Sequence, residues 1–120
     1  MMSLLIVEDN DLMRQVIRNV VADLAADIYE CRDGSEALPS YAAHHLSAAD
    51  WVLMDIEMPL MDGITATRQL IAAFPEANVC IVTNYDDAEL RETAREAGAA
   101  GYVLKDDLFA VRRFLHQYRR

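Results

Sequence analysis

Apolar residues along this chain follow two alternating patterns. Short, nearly continuous apolar runs are typical of strands buried on both faces of a sheet. Such runs occupy positions 4–7, 28–31, 51–54, 79–82 and 102–104, and the run at 28–31 is less regular than the others. The pattern therefore predicts five strands.

Between the runs, apolar residues recur at helical spacing. The first such segment places Leu12, Val16, Val20 and Leu24 four residues apart, with Met13, Ile17 and Val21 beside them. Asn10 or Asp11 can cap this amphipathic helix. Further helices are predicted over 64–74 and over 86–97, where Gly98 suits a left-handed end. A last helix follows, with a buried face formed by Leu108, Val111, Leu115 and Tyr118.

One predicted helix carries a proline inside it. The segment 35–46 should be helical, but Pro39 falls a turn inside and removes a hydrogen bond. We expect that helix to be kinked, late-starting or loose.

The alternation of strands and helices determines the fold class. Strands separated by helices make a parallel sheet with right-handed crossovers and helices on both faces. The sequence thus predicts an α/β, doubly wound, five-stranded domain, (βα)5, that occupies all of residues 1–120.

Composition and charge exclude some classes of function. The net charge of −9 argues against direct nucleic-acid binding, which depends on Lys and Arg. The first apolar run has no basic flank or cleavage site, so it indicates a strand and not a signal peptide, and no stretch could span a membrane. We expect a cytoplasmic protein in which Cys31 and Cys80 are buried free thiols.

Polar side chains follow four of the five predicted strands. Glu8 and Asp9 follow the first strand, Asp55 the third, Thr83 the fourth and Lys105 the fifth. Because ligands of such sheets bind outside the carboxyl ends of the strands, we expect these side chains to converge on one edge.

The convergent residues suit phosphoryl transfer. Three neighbouring carboxylates favour a divalent cation, and all-oxygen ligation suits Mg²⁺. Glu8 and Asp9 would hold the ion; Asp55 would add a third oxygen and act as nucleophile toward phosphorus. The metal and Lys105 would neutralise the phosphoryl oxygens, and Thr83 could hydrogen-bond them.

At these motifs the sequence resembles a receiver domain of a bacterial two-component system. The motifs are Leu5-Ile6-Val7-Glu8-Asp9, the segment 53–63 (LMDIEMPLMDG), Val82-Thr83 and Gly101-Tyr102-Val103-Leu104-Lys105. They stand in the family's order and spacing over essentially the whole chain. The resemblance implies a flavodoxin-like strand order of 2-1-3-4-5.

The resemblance also implies the roles of the site residues. A phosphohistidine on a sensor histidine kinase would be the donor and Asp55 the acceptor, while the backbone carbonyl of Glu57 would complete the magnesium shell. Thr83 and Tyr102 match the switch positions that transmit phosphorylation to a distant face. Such a domain is not an enzyme in the usual sense, since it catalyses only its own phosphorylation and autodephosphorylation.

Some details depart from the commonest family pattern. Glu8 replaces the more usual aspartate, and Lys105 precedes Asp106 where proline is common. The Lys-Asp form, with the segment 83–87, resembles receivers attached to helix-turn-helix DNA-binding domains, so DNA would be reached only through an output domain absent from this chain. A stand-alone regulator and an excised receiver both remain open, the second slightly favoured. Phosphorylation-linked homodimerisation is a further expectation.

Three other functions compete with this interpretation. An aspartate-nucleophile phosphatase would want its second acid within a first-strand motif, whereas Glu57 follows the third strand. A flavin or nucleotide carrier would need glycines or hydroxyls after the first strand, where this chain has Glu8-Asp9-Asn10-Asp11. A receiver-like module that is never phosphorylated is disfavoured by the complete residue set.

Two further pairs of residues lie near the site motifs or resemble metal ligands. Glu57 and Tyr85 follow Asp55 and Thr83 by two residues, and we hypothesise that they set the phosphoryl lifetime. His44 and His45 have no matching ligand set and are expected at the surface.

Overall fold

The computed structural model describes the backbone of residues 1–117 and the side chains of residues 1–116. Five parallel strands form one sheet in the order β2-β1-β3-β4-β5. The strands are β1 (Met2–Val7), β2 (Ala25–Cys31), β3 (Trp51–Met54), β4 (Val79–Thr83) and β5 (Gly101–Leu104). The helices are α1 (Asp11–Val21), α2 (Ala37–Ala43), α3 (Gly63–Ala73), α4 (Ala88–Ala97) and α5 (Phe109–Gln117). The predicted doubly wound fold and strand order are confirmed.

Local sequence explains where the helices begin and end. Asn10, Asp62 and Asp87 each accept a backbone N–H of the first helical turn, which removes unpaired donors from the starts of α1, α3 and α4. Gly98 ends α4 in the left-handed region, with φ of 111°. Because Asp87 is the cap, α4 begins two residues later than the predicted start at 86.

The helix with the internal proline starts late, as predicted. A 3-10 turn at Gly34–Glu36 precedes α2, which begins at Ala37, so Pro39 lies in its first turn. At that position a missing N–H costs little, because first-turn donors have no partner within the helix. The helix ends after seven residues at Ala43, before Leu46.

The predicted amphipathic helix α1 is confirmed, and the apolar residues of its sequence are unequally buried. Ile17 and Val21 are buried, whereas Leu12 is 73% and Val16 37% exposed. The stripe that begins at Leu12 reaches the core only towards its end, where Val20 packs against the core and Leu24 is buried. For α5, Val111 and Leu115 are buried as predicted and Leu108 is half-buried; Tyr118 lies outside the described residues.

The core consists of two layers, one on each face of the sheet. Alternate residues of β1 supply both layers, since Leu5 and Val7 pack with α2, α3 and α4 while Leu4 and Ile6 pack with α1 and α5. The central strands are thus mainly apolar, and their site side chains lie at the last residue of β4, Thr83, or directly after β1 and β3. Cys31 and Cys80 are buried free thiols, as predicted. Within residues 1–117, no helix has the length and hydropathy needed to cross a membrane.

Candidate functional site

The residues predicted to converge do lie together, at the carboxyl edge of the sheet. Lys105, directly after β5, places its Nζ 2.8 Å from Glu8 Oε1 and 3.1 Å from Asp55 Oδ1. The side chains of Lys105, Glu8 and Asp55 are only 8%, 1% and 7% exposed. One ammonium group therefore bridges two carboxylates that follow two different strands.

Asp9 completes an acidic cluster beside this ion pair. Glu8, Asp9 and Asp55 each offer a carboxylate oxygen, and these oxygens all lie within 4.8 Å of one another. Glu8 and Asp55 are buried while Asp9 is exposed, so the cluster opens to solvent on one side. Hard oxygen donors with open positions for water suit Mg²⁺, and the cluster fits that ion.

Burial disfavours the charged forms of the two buried carboxylates in this cluster. Desolvation raises the pKa of the Glu8 carboxyl, and the charge of Asp55 adds to the rise against the hydrogen bonds from Lys105 and Asn10. Desolvation likewise raises the pKa of Asp55, although the charge of Lys105 opposes it. For Lys105, burial disfavours the ammonium ion, but its bond to Glu8 and the charge of Asp55 outweigh burial and raise its pKa. One lysine does not fully compensate the surrounding carboxylates.

The backbone around Asp55 is tightly constrained. Its N–H donates to the Val7 carbonyl at 2.9 Å, and its Oδ1 accepts the Ile56 N–H at 2.9 Å. A Cβ placed on Gly63 would lie only 1.8 Å from the Asp55 carbonyl oxygen, so the start of α3 can approach this residue only with glycine. Asp62, which caps α3, and Gly63 thus shape the site.

The residues predicted to act as a switch lie on β4 and β5 and are linked through Tyr85. Thr83, 1% exposed at the end of β4, accepts the Tyr85 N–H with its hydroxyl. The Tyr102 hydroxyl donates to the Tyr85 carbonyl at 2.7 Å, and the Arg91 guanidinium lies 4.6 Å from the centre of the Tyr102 ring. The Tyr85 hydroxyl in turn donates to Glu57 Oε2 at 2.7 Å. A chain of contacts therefore connects β5, the loop after β4 and the loop after β3.

Two residues that support the site were not predicted from the sequence. The first is Arg14, which is 7% exposed on α1 and contacts the backbone of Glu8. Its spacing from Ile17 and Val21 places a cation in the buried stripe, and that misplaced charge is the signal that could have identified it.

The second such residue is Asp33, which is 5% exposed between β2 and α2. Its Oδ2 accepts the Ser35 N–H at 2.8 Å, while its Oδ1 accepts the Leu60 N–H at 2.9 Å and the Met61 N–H at 3.5 Å. Asp33 therefore ties its own loop to the loop that carries Glu57. An Asp-Gly pair after a strand was the available signal.

The histidines lie outside the cluster. His44 stacks on the Tyr29 ring at 3.7 Å between centroids, and both His44 and His45 are exposed, as predicted.

Comparisons with known proteins point to one family. Residues 4–115 match the response regulator receiver domain model. The transcriptional regulatory protein YhcZ of Bacillus subtilis is 35% identical over 105 residues, which cover 88% of this chain and 49% of YhcZ. The chemotaxis protein CheY of Halobacterium salinarum is 33% identical, over 84% of this chain and 82% of CheY.

The fold is shared with solved structures. The chemotaxis protein CheY4 of Vibrio cholerae superposes with a TM-score of 0.86 at 20% identity, over 98% of both chains. The chain spans about half the length of the transcriptional regulators that it matches. With 112 of its 120 residues inside the family match, this chain belongs to the response regulator receiver domains, the signalling modules of two-component systems.

Proposed function

We propose that this domain is switched by transfer of a phosphoryl group to Asp55. The observation that carries the proposal is the position of Lys105 Nζ between Glu8 Oε1 and Asp55 Oδ1, beside the three-carboxylate cluster. This arrangement supplies a nucleophile, a fixed cation and a set of metal ligands at one solvent-open edge.

The proposed donor is a phosphohistidine of a sensor histidine kinase. An oxygen of the Asp55 carboxylate attacks phosphorus, the new P–O bond forms as the P–N bond breaks, and the departing imidazole retains the electron pair and takes up a proton. Lys105 remains at its 3.1 Å distance and neutralises charge that develops on the phosphoryl oxygens. The domain thus promotes only its own phosphorylation and the later hydrolysis of the aspartyl phosphate.

Glu8, Asp9, Asp55 and the backbone carbonyl of Glu57 are the proposed magnesium ligands. When bound, Mg²⁺ would supply positive charge to the phosphoryl oxygens. The clustered carboxylate oxygens of the first three residues support this assignment. The Glu57 carbonyl comes from the family resemblance and from the position of that residue two places after Asp55.

Thr83 and Tyr102 are the proposed switch. The Thr83 hydroxyl would hydrogen-bond the attached phosphoryl group and release the Tyr85 N–H that it accepts here. Tyr102 is joined both to the Tyr85 carbonyl and to Arg91 of α4, so a shift of this loop would reach the surface formed by α4, β5 and α5. The proposed readout is homodimerisation or, in a longer protein, control of a DNA-binding output domain.

Intact-mass measurement tests the acceptor. The chain incubated with acetyl phosphate and Mg²⁺ should gain one phosphoryl group, whereas Asp55→Asn, or the parent chain in a chelator, should gain none. No adduct on the parent chain, together with no binding of beryllofluoride, would indicate a phosphorylation-independent use of the fold.

We also propose that the Tyr85–Glu57 hydrogen bond controls phosphoryl lifetime. Glu57 and Tyr85 lie two residues after Asp55 and Thr83, and their 2.7 Å hydrogen bond joins the loops that follow β3 and β4, the acceptor strand and its neighbour. Replacing both residues by alanine should open the path of the attacking water and speed dephosphorylation roughly tenfold, about 1.4 kcal/mol of barrier.

Tyr85→Phe is the matched control for this test. It retains the ring and removes only the hydroxyl that bonds Glu57. An intermediate rate for this variant would assign part of the effect to the hydrogen bond, and an unchanged rate in the double variant would contradict the proposal.

A further inference from the structure

Arg14 is a cation placed where an apolar residue would be expected. It shares the buried face of α1 with Ile17 and Val21, and its side chain is only 9% exposed. A buried guanidinium is costly unless its donors are satisfied, so its partners reveal what it does.

The guanidinium of Arg14 donates in three directions. Nη1 donates to the backbone carbonyl of Glu8 at 2.9 Å, Nε donates to Glu30 Oε1 at 2.8 Å, and Nη2 donates to Asp11 Oδ1 at 2.7 Å. The first contact is fully buried. The rigid planar fork of arginine can make these bonds together, whereas a lysine ammonium is a single point on a flexible stem.

Glu8 lies where the chain leaves the sheet. Its N–H still donates to the Cys31 carbonyl at 3.0 Å, continuing the pairing of β1 with β2. Its carbonyl instead accepts from Arg14, which is itself anchored on Glu30 of β2. The Glu8 N–H is thus held by β2 directly, and the Glu8 carbonyl is held by β2 through Arg14.

The orientation of this main chain determines where the Glu8 carboxylate points. That carboxylate receives Lys105 on Oε1 and the Asn10 N–H on Oε2, so it is held between the fifth strand and the start of α1. A rotation of the Glu8 peptide would displace the carboxylate and also Asp9, the next ligand of the acidic cluster.

We infer that Arg14 is a positioning residue that fixes the Glu8–Asp9 turn through the Glu8 carbonyl and thereby sets the affinity of the acidic cluster for Mg²⁺. The inference rests on the proposed magnesium site. Residues that orient metal ligands through hydrogen bonds typically change metal affinity by about 10- to 100-fold when they are replaced.

The same helix provides a matched control. Arg18 also pairs with Glu30, with its Nη1 2.6 Å from Oε2, and its other partner among the described residues is the Ile28 carbonyl, not Glu8. Arg14→Gln and Arg18→Gln each remove one guanidinium from the α1–β2 contact, and only the first removes the bond to Glu8. The comparison separates positioning of Glu8 from general packing of the helix.

The experiment is calorimetric titration of the full chain with Mg²⁺, without any phosphodonor. Arg14→Gln should weaken Mg²⁺ binding about tenfold, whereas Arg18→Gln should stay within about twofold of the parent chain. Equal weakening in both variants, or unchanged affinity in a folded Arg14→Gln, would overturn the inference. Absence of Mg²⁺ binding to the parent chain would overturn it as well.

Two further variants keep the test decisive. If Arg14→Gln does not fold, Arg14→Lys should fold and show an intermediate loss, because one ammonium can reach the Glu8 carbonyl but cannot also hold Glu30 and Asp11; parent-like affinity in this variant would overturn the inference. In Arg14→Gln/Glu30→Gln, affinity should be no weaker than in Arg14→Gln alone, since Glu30 acts through Arg14; additive losses would contradict this.

Failure of this inference and failure of the proposed function would give different results. A parent chain that binds Mg²⁺, loses affinity in Arg14→Gln and yet gains no phosphoryl adduct would refute phosphorylation of Asp55 and leave the positioning role of Arg14 standing.

Discussion

Asp33 and Asp55 are two almost fully buried carboxylates that the fold treats in opposite ways. Their exposed fractions, 5% and 6%, are nearly equal. For Asp33, desolvation is outweighed by backbone N–H donors from Ser35 and Leu60, and its pKa is lowered. For Asp55, desolvation outweighs the opposing charge and bonds of Lys105, and its pKa is raised.

The difference separates a structural acid from a reactive one. Backbone amides complete the hydrogen bonding of Asp33, and its charge holds two loops together. Asp55 and Glu8 contact the same lysine, so the single positive charge of Lys105 faces two negative charges and cannot neutralise both. A small exposed fraction does not by itself decide the pKa of a carboxyl; the depth of its surroundings and the donors that face it decide it together. An undercompensated carboxylate favours the arrival of a cation.

Removal of the Asp33 charge should have the largest effect on stability. In Asp33→Asn, the amide group would replace the oxygen that accepts the Ser35 N–H, leaving that donor unpaired. We expect a loss of about 2 kcal/mol in the free energy of unfolding, measured by urea denaturation at neutral pH. Asp27→Asn, at an exposed position of β2, is the control and should change stability by less than about 0.5 kcal/mol. An equal change in the free energy of unfolding for the two variants would contradict the structural role of Asp33.

The matching substitution at Asp55 should raise the free energy of unfolding, whereas the substitution at Asp33 lowers it. In Asp55→Asn, the amide oxygen can still accept from the Ile56 N–H and from Lys105, as Oδ1 does in the parent chain, while one of two crowded negative charges is removed. The metal-free variant should be more stable than the parent chain by about 1 kcal/mol. Saturating Mg²⁺ should narrow this gap, because the ion stabilises the parent site more. A loss of stability in the metal-free variant would break the comparison.

The smallest expected effect is on pH dependence. Because the folded pKa of Asp33 is lowered, its stabilisation is complete above the usual value of 3.8 and is lost as pH falls through the folded pKa. The folded pKa of Asp55 is raised, so ionisation of Asp55 lowers the free energy of unfolding as pH rises from 3.8 through that folded pKa.

Denaturation midpoints of metal-free protein from about pH 3 to about pH 7 measure both effects. Asp33→Asn should flatten the acid-side loss, and Asp55→Asn should flatten the loss toward neutral pH, each by about 0.5 kcal/mol per pH unit. Parallel profiles for the two variants would contradict the assigned pKa directions.

The fold and the central site were accessible from the sequence because both depend on local rules. Apolar runs and helical spacing identified the five strands and the five α-helices of residues 1–117, though not their 3-10 turns, and the rule that parallel strands end at one edge brought Glu8, Asp55 and Lys105 together. No long-range information was needed, since each of these residues directly follows a strand.

Features that depend on packing were not accessible. Leu12 and Val16 have the right spacing for a buried face, but they are exposed while Ile17 and Val21 are buried, and that choice is made by tertiary contacts. Asp33 bonds a loop 27 residues away, and Arg14 combines the nearby Glu8 carbonyl with Glu30, 16 residues away on β2, so these sets of partners appear only in three dimensions. Elsewhere, an arginine on a helix or an aspartate in a turn is ordinarily solvent-exposed.

The ion pair between Glu8 and Lys105 also orders events during synthesis of the chain. Its two residues lie near opposite ends of the domain, and β5, which the lysine directly follows, is the last strand of this sheet to leave the ribosome. A nascent chain that already contains Glu8, Asp9 and Asp55 has the acids without their counter-charge. The acceptor site is therefore assembled only after the fifth strand has been translated, which links competence for signalling to synthesis of nearly the whole domain.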